Sequence, residues 1–229
     1  MVPLIKGNVK VYASTDPDFI PEDAPVALAN ISDLKMTIIT NDPTKRYYYT
    51  LLFGDKYRVK IATRNVNIPG IQNFRDLGGY PSYSTKKQTR WGMIYRSAEI
   101  DSLECSSRKE LKNLGIKTLI DLRASSEIDR QSPLQKGFNV VHIPLATGDM
   151  EDILKGIREE KIKCDTVYRM VERMNRALIN KYTKEYRQIF DILLDKNSYP
   201  VVIHCSSGKG RTGIVSALVL ALSLIHISE

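Results

Sequence analysis

Hydrophobic and polar positions follow two different rhythms along this chain, and the change falls near residue 66. Before it, apolar residues gather in short runs at 8–13, 35–40, 46–53 and 56–63, with no helical periodicity between them. Asp16-Pro17, Asp42-Pro43 and Gly54-Asp55 separate the runs. Such pairs start turns, because proline presets φ and glycine accepts positive φ. Strands joined by turns give a small antiparallel β module over residues 1–66. Four strands are few for a sandwich, so the module is expected to be incomplete or to pack on the neighbouring domain. Tyr47, Tyr48 and Tyr49 suit a strand and need no ligand.

From residue 67 to 229 the pattern becomes α/β. Leu119 to Leu122 and Val140 to Leu145 read as strands, with Ser107 to Leu114 as a helix before the first. Residues 150–195 read as mostly helical. Val167, Met170, Val171, Met174 and Leu178 form one apolar stripe, and Tyr186, Ile189, Phe190, Leu193 and Leu194 a second. Both read as core-facing. The run Val201-Val202-Ile203 is a further strand, and Ile214 to Leu222 a further helix.

Between those last two elements lies His204-Cys205-Ser206-Ser207-Gly208-Lys209-Gly210-Arg211-Thr212-Gly213. A strand thus delivers a cysteine to a glycine-rich loop that closes on an arginine at a helix N-terminus. Backbone N–H groups in such a loop can turn inward as an anion nest, and the first helical N–H groups add to it. Gly208 and Gly210 permit the close approach that a Cβ forbids. Arg211 offers a planar fork that fits two phosphate oxygens. The same field favours thiolate over thiol, so Cys205 is expected to titrate below the reference value of about 8.5. A thiolate under a bound phosphate is placed for in-line attack. Thr212 can donate its hydroxyl to the sulfur, and His204 is expected to brace the loop backbone. Ser206, Ser207, Gly208, Lys209, Gly210 and Thr212 form the expected phosphate-binding set, with Cys205 and Arg211 as the reacting pair.

One rival uses the same letters, since Gly208-x-Gly210-x-x-Gly213 after a strand spells a dinucleotide fingerprint. That motif needs a second strand with an acidic residue about 20 positions on, and none is present here. It also leaves Cys205 and Arg211 without a purpose. A Walker A loop is excluded because no Gly-Lys-Ser/Thr occurs.

The loop resembles that of the cysteine-dependent protein tyrosine phosphatase superfamily. Asn73-Phe74-Arg75-Asp76-Leu77-Gly78-Gly79-Tyr80, then Ile94-Tyr95-Arg96-Ser97, then Ile120-Asp121-Leu122-Arg123 with Glu127 narrow the resemblance. Together they look like the bacterial tyrosine/serine phosphatase family, with dual-specificity-like features, over residues 66 to 222. The resemblance implies a protein tyrosine phosphatase-like α/β fold: a central, mostly parallel sheet flanked by helices, with the phosphate loop at a strand's C-terminal end. The β module ahead of it is similar to the immunoglobulin- or fibronectin-like modules that precede some relatives. The implied reaction is hydrolysis of phosphate monoesters, chiefly phosphotyrosine in proteins or peptides and also phosphoserine or phosphothreonine, through a phosphocysteine. No metal or organic cofactor is needed, because the loop itself supplies the positive charge.

Where many relatives read Gly-Lys-Asp-Arg, this chain reads Gly-Lys-Gly-Arg, so Gly210 cannot serve as the acid. The form here looks like that of phosphoinositide 3-phosphatases, in which a loop lysine helps bind acidic headgroups. Lys209 therefore keeps phosphoinositides and small polyphosphates open as alternative substrates. A phosphate-binding pseudophosphatase that lacks an effective acid is a further alternative. The chain from Leu224 does not resemble the family's continuation, which implies truncation after the phosphate-loop helix.

A leaving alkoxide or phenoxide needs a proton, usually from a carboxylic acid on a loop. Ala146-Thr147-Gly148-Asp149 comes directly after the strand Val140 to Leu145. Dual-specificity phosphatases carry their acid on a similarly placed loop, which makes Asp149 the candidate. An aspartate there equally suits the N-cap of a helix from Met150. Asp121 and Asp76 are the alternatives, although Arg123 and Arg75 beside them suggest structural ion pairs. His142 reads as a satisfied histidine of the sheet, and Trp91 as packing. Cys105 and Cys164 have no partner at metal-ligand spacing, though either could pair with Cys205 on oxidation.

Net charge of +8 favours acidic partners, namely phosphoproteins, anionic lipid or, nonspecifically, nucleic acid. The basic residues are dispersed without a block or a nucleic-acid motif, which argues against specific DNA or RNA binding. No 18-residue apolar span and no signal peptide is visible, so the visible sequence reads as cytoplasmic. Export is expected only if a longer native chain carries a leader.

Overall fold

The structure is a computed structural model that describes residues 7–39, 45–82, 87–101, 104–128, 137–146, 156–159 and 164–225. Two sheets organise it. The first is antiparallel and contains β1 (Asn8–Ser14), β2 (Ala27–Asn30), β3 (Tyr48–Phe53) and β4 (Tyr57–Ala62), in the order β2-β1-β3-β4. Strands β1, β3 and β4 fall where the apolar runs predict them. Of the run at 35–40, the described residues 35–39 form no strand, and β2 forms earlier from Ala27-Leu28-Ala29-Asn30. Both edges of β1 are taken, by β2 and β3. After β2 the Asn30–Asp33 capping box makes a 3₁₀ turn, and Leu34 adopts φ +53° and faces solvent. The partner of β1 on the β2 side is thus the nearer segment 27–30, and strand propensity at 35–39 is overridden by tertiary context.

The second sheet carries β5 (Arg75–Asp76), β6 (Ile94–Ser97), β7 (Thr118–Asp121), β8 (Asn139–His142) and β9 (Val201–His204), in the order β5-β6-β9-β7-β8. Only β5 runs antiparallel; β6, β9, β7 and β8 are parallel. This is the mostly parallel sheet expected. Among the described residues, helices α1 (Cys105–Asn113), α2 (Cys164–Lys181), α3 (Thr183–Leu194) and α4 (Gly210–Ile225) accompany it. Strand β8 stops at His142 rather than Leu145. Pro144 has no N–H to give, and only single bonds from Ile143 N to Asp121 O and Leu145 N to Leu122 O continue the pairing.

All four residues of both β7 and β9 are buried, as parallel strands covered on two faces require. On one face Leu119, Val202 and Tyr95 pack with Phe74, Leu111 and Ile116. On the other, Ile120, Val201 and Ile203 pack with Leu178, Ile189 and Val215 of α2, α3 and α4. Leu178 of the first predicted stripe and Tyr186, Ile189, Phe190 and Leu193 of the second pack in this core, whereas Val167, Met170, Val171 and Met174 are only partly buried and lie outside it. Leu194 is 80% exposed, because α3 ends there and the chain turns at Asp195.

Arg46 ties the two sheets together. It ion-pairs with the buried Asp76 at 2.8 Å, donates to the Tyr95 hydroxyl at 3.0 Å, and lies over the rings of Tyr48, Trp91 and Tyr95. Trp91 in turn lies against Gly78 and Gly79, where a Cβ would collide with its ring. Among the described residues no helix is long and apolar enough to cross a membrane.

Candidate active site

Strands β6, β9 and β7 run parallel side by side, so their C-terminal ends share one rim, and ligand sites in such sheets form outside that rim. Each strand contributes there: β9 releases Cys205, β7 leads to Arg123, and β6 leads to the Ser97–Ile100 stretch. Cys205 is 1% exposed, at the floor of the loop that ends in the first turn of α4.

Thr212 donates its hydroxyl to Cys205 Sγ at 3.1 Å and is itself fully buried. Burial pushes the Cys205 thiol up. The Thr212 hydroxyl and N–H, the Arg211 charge and the Gly208 N–H act against it and together win, leaving the thiol below its ordinary range. The N–H groups of Gly208 and Thr212 therefore act on the Cys205 sulfur.

The loop is held from outside. Gly208 adopts φ +65° and sits against the Ser97 carbonyl so closely that a Cβ has no room. Asn73, itself at φ +56°, donates its side-chain amide to Gly208 O at 2.9 Å and Ser207 O at 3.3 Å. Arg96 donates to Gly208 O at 2.5 Å and Lys209 O at 3.3 Å, and Glu99 N donates to Ser206 O at 3.1 Å. His204 does not share this task as expected. Its Nδ1 is buried with no hydrogen-bond partner, 3.9 Å from Asp121 Oδ1, and burial lowers its pKa to about 4, so the ring is neutral.

Arg211 is 7% exposed, and its fork is already oriented. It donates to both oxygens of Glu127, at 2.5 and 2.7 Å, and reaches the carbonyls of Leu122 and Leu145 at 3.4 Å. Ser206 Oγ donates to the same carboxylate at 2.6 Å and accepts from Arg211 at 3.2 Å. The Arg211 hydrogen bond is the largest cause that brings Glu127 down to about 2, with Ser206 and the Ala124 N–H adding to it against burial. Lys209 and Ser207 lie exposed at the loop's rim, with Gly210 beside them at the helix start.

The three candidate acids fare differently. Asp149 lies outside the described residues. Asp121 is buried and accepts from the Arg123 fork, whose other arm bonds Asp101 at 2.8 Å. Asp76 is buried too, but its partner is Arg46 and not Arg75, with further bonds from Gly78 N at 2.7 Å and Gly92 N at 2.8 Å. The Arg75 side chain is exposed, because neighbours in a strand point to opposite faces. His142 donates Nε2 to Arg123 O at 2.7 Å, the satisfied histidine expected.

Spacing in the sequence does not assign Asn73, Arg96 or Glu127 to the loop. Each stands in a motif that supports the resemblance, but they lie 132, 109 and 78 positions before Cys205. No spacing rule links residues so far apart; only the sheet order brings them together.

Residues 66–225 match the tyrosine phosphatase family. The triple specificity protein phosphatase PtpB of Mycobacterium tuberculosis is 31% identical over 175 residues, 67% of this chain and 62% of that protein. A putative tyrosine-protein phosphatase of Cupriavidus necator is 26% identical, over 66% of this chain and 55% of its own length. The chain thus spans about three fifths of the curated relatives it resembles. The crystal structure of TpbA from P. aeruginosa is 17% identical, with a TM-score of 0.33 over 73% of this chain and 71% of that one. With its parallel sheet, its cysteine loop and a match that covers most of its length, this chain belongs to the tyrosine phosphatase family.

Proposed function

We propose that this protein hydrolyses phosphate monoesters, chiefly phosphotyrosine in proteins or peptides, with phosphoserine and phosphothreonine also accepted. The observation that carries the reading is the 3.1 Å bond from Thr212 Oγ1 to a buried Cys205 Sγ whose thiol lies below its usual range. A structural cysteine in an apolar setting shifts the other way.

In this reaction Cys205 Sγ attacks phosphorus in line with the ester oxygen, and the S–P bond forms as the P–O bond breaks. Arg211 and the loop N–H groups of the 206–212 set hold the equatorial oxygens, where charge is spread in the transition state. Asp149 gives its proton to the leaving oxygen, then takes one from the water that attacks the phosphocysteine. Inorganic phosphate leaves with the new oxygen, and Thr212 stabilises the returning thiolate. Asp121 and Asp76 are each committed to an arginine and to backbone N–H groups, which favours Asp149 for the acid. No step calls for a metal or organic cofactor.

Lys209, exposed at the loop's rim, favours a second substrate class, phosphoinositides or small polyphosphates, whose extra phosphates it would meet. We assign residues 1–66 to the β module and 67–229 to the phosphatase domain, with Arg46 as the link between them.

The test is hydrolysis of a phosphotyrosine peptide in chelator by the wild-type chain and by Cys205→Ser. Turnover lost on substitution is expected. Equal turnover by the variant would overturn the cysteine mechanism. No turnover by a folded wild type, with phosphate still bound, would leave the pseudophosphatase reading in its place. Asp149→Ala should slow turnover yet allow phosphate to accumulate on Cys205; an unchanged rate would end that assignment.

A further inference from the structure

Strands β5 and β6 are joined at only two residue pairs, and one sets Arg75 directly opposite Arg96. Like charges in that position repel and destabilise a ladder. Arg64 lies nearby, stacked on the Tyr80 ring at 3.8 Å, and the three arginines line one cleft of about 410 Å³ with Asn65 and Tyr80. The acidic residue of that cleft, Asp76, is 1% exposed and already committed to Arg46 and two backbone N–H groups. Among the described residues no carboxylate answers Arg64, Arg75 or Arg96. Arg96 Nε is buried without a hydrogen-bond partner. Arg64 spends Nε and one terminal nitrogen on the carbonyls of Gly78 and Gly79, and its other terminal nitrogen is unspent.

Three guanidinium groups with spare donors, in one cleft and without a counter-charge, suit an oxyanion with several acceptor faces. A carboxylate would satisfy one fork; a phosphate can meet three. We propose that Arg64, Arg75 and Arg96 form a second phosphate site, separate from the cysteine loop and coupled to it through Arg96. The coupling arises from the contacts of Arg96. Its terminal nitrogen holds the outward carbonyls of Gly208 and Lys209, while the N–H of Gly208 faces Sγ on the inner side. A phosphate that neutralises Arg75 and Arg96 relieves their repulsion and steadies the arm on which the loop rests. Only this coupling rests on the function proposed above; the site itself does not.

The probe is inorganic phosphate, titrated by calorimetry at low ionic strength into the full chain carrying Cys205→Ser. Two binding events are expected. Arg75→Gln should weaken one of them about tenfold, the scale of one charge-assisted contact, and leave the other in place. Arg211→Met should remove that other event alone. A single event that Arg75→Gln does not touch would overturn the site. An event lost with Arg75→Gln but none that depends on Arg211 would sustain the site and count against the proposed function.

A second measurement needs no change in the cleft. In the Cys205→Ser chain the Nε–H resonance of Arg96 should move with the second equivalent of phosphate, and a resonance that stays still would refute the proposal. The source of the phosphate is read by comparing inositol monophosphate with an inositol bisphosphate. If one ligand spans both sites, the bisphosphate binds about tenfold tighter and Arg75→Gln removes the gain. If the ligand is free phosphate, the two inositols bind alike and the inorganic event persists.

Discussion

Glu127 holds both terminal nitrogens of Arg211, at 2.5 and 2.7 Å, from a position 84 residues earlier in the chain. The pair fixes the plane of the guanidinium before any phosphate arrives. Preorganised charge of this kind costs no reorganisation when the reaction begins. Glu127→Gln is therefore expected to lower kcat/KM for a phosphotyrosine peptide by about tenfold, as one charge-assisted contact is exchanged for a neutral one. Steady-state kinetics beside a thermal melt checks this, and Glu127→Asp should restore part of the rate.

The same pair makes stability depend on pH. Glu127 falls from 4.5 to about 2 on folding. Its contribution is fully present above the unfolded value and is lost as pH drops through the folded one. Wild type should thus melt above Glu127→Gln at pH 6, with the gap narrowing below pH 4.5 and closing near 2. A gap that does not change with pH would show that the charge of Glu127 is not what stabilises the loop.

Thr212→Val keeps the shape of the side chain and removes the donor to Cys205 Sγ. The midpoint of iodoacetamide alkylation against pH should rise, because the thiolate loses its hydrogen bond. Turnover should drop about tenfold, chiefly in breakdown of the phosphocysteine. A midpoint that does not move would place the main thiolate stabilisation in the Arg211 charge and the backbone N–H groups.

Gly208→Ala should destabilise the chain by about 1–3 kcal/mol and abolish turnover, since positive φ and the Ser97 carbonyl both reject a Cβ. Asn73→Gly offers the contrast. It keeps the backbone at φ +56° but loses both bonds to the loop, so activity should fall further than stability. Urea titrations with parallel kinetics separate the two effects.

Arg46→Met leaves Asp76 buried without its cation, and the cost should be about 3–5 kcal/mol. Chemical denaturation reads it directly. Asp76→Asn in the same chain should recover part of the loss, because it removes the stranded charge; no recovery would show that Arg46 acts mainly through its three aromatic contacts.

Local features were legible in the residues alone. The loop from Cys205 to Thr212 is contiguous, and a strand, two glycines and a helix start dictate its form whatever surrounds it. The alternation that marks β1, β3 and β4 and the stripes on α2 and α3 are likewise properties of short windows. Even there the windows misread 35–39, because which segment pairs with β1 is settled by tertiary context and not by apolar character alone. Adjacency across the sheet is a different matter, and folding alone settled it. The order β5-β6-β9-β7-β8 sets Asn73, Arg96 and Glu127 around a cysteine far from each of them in sequence. It gave Asp76 to Arg46 rather than to its neighbour Arg75, and it turned Arg75 toward Arg96. A carboxylate's partner is chosen by which side chains share a face and a cavity, and distance along the chain carries no record of that.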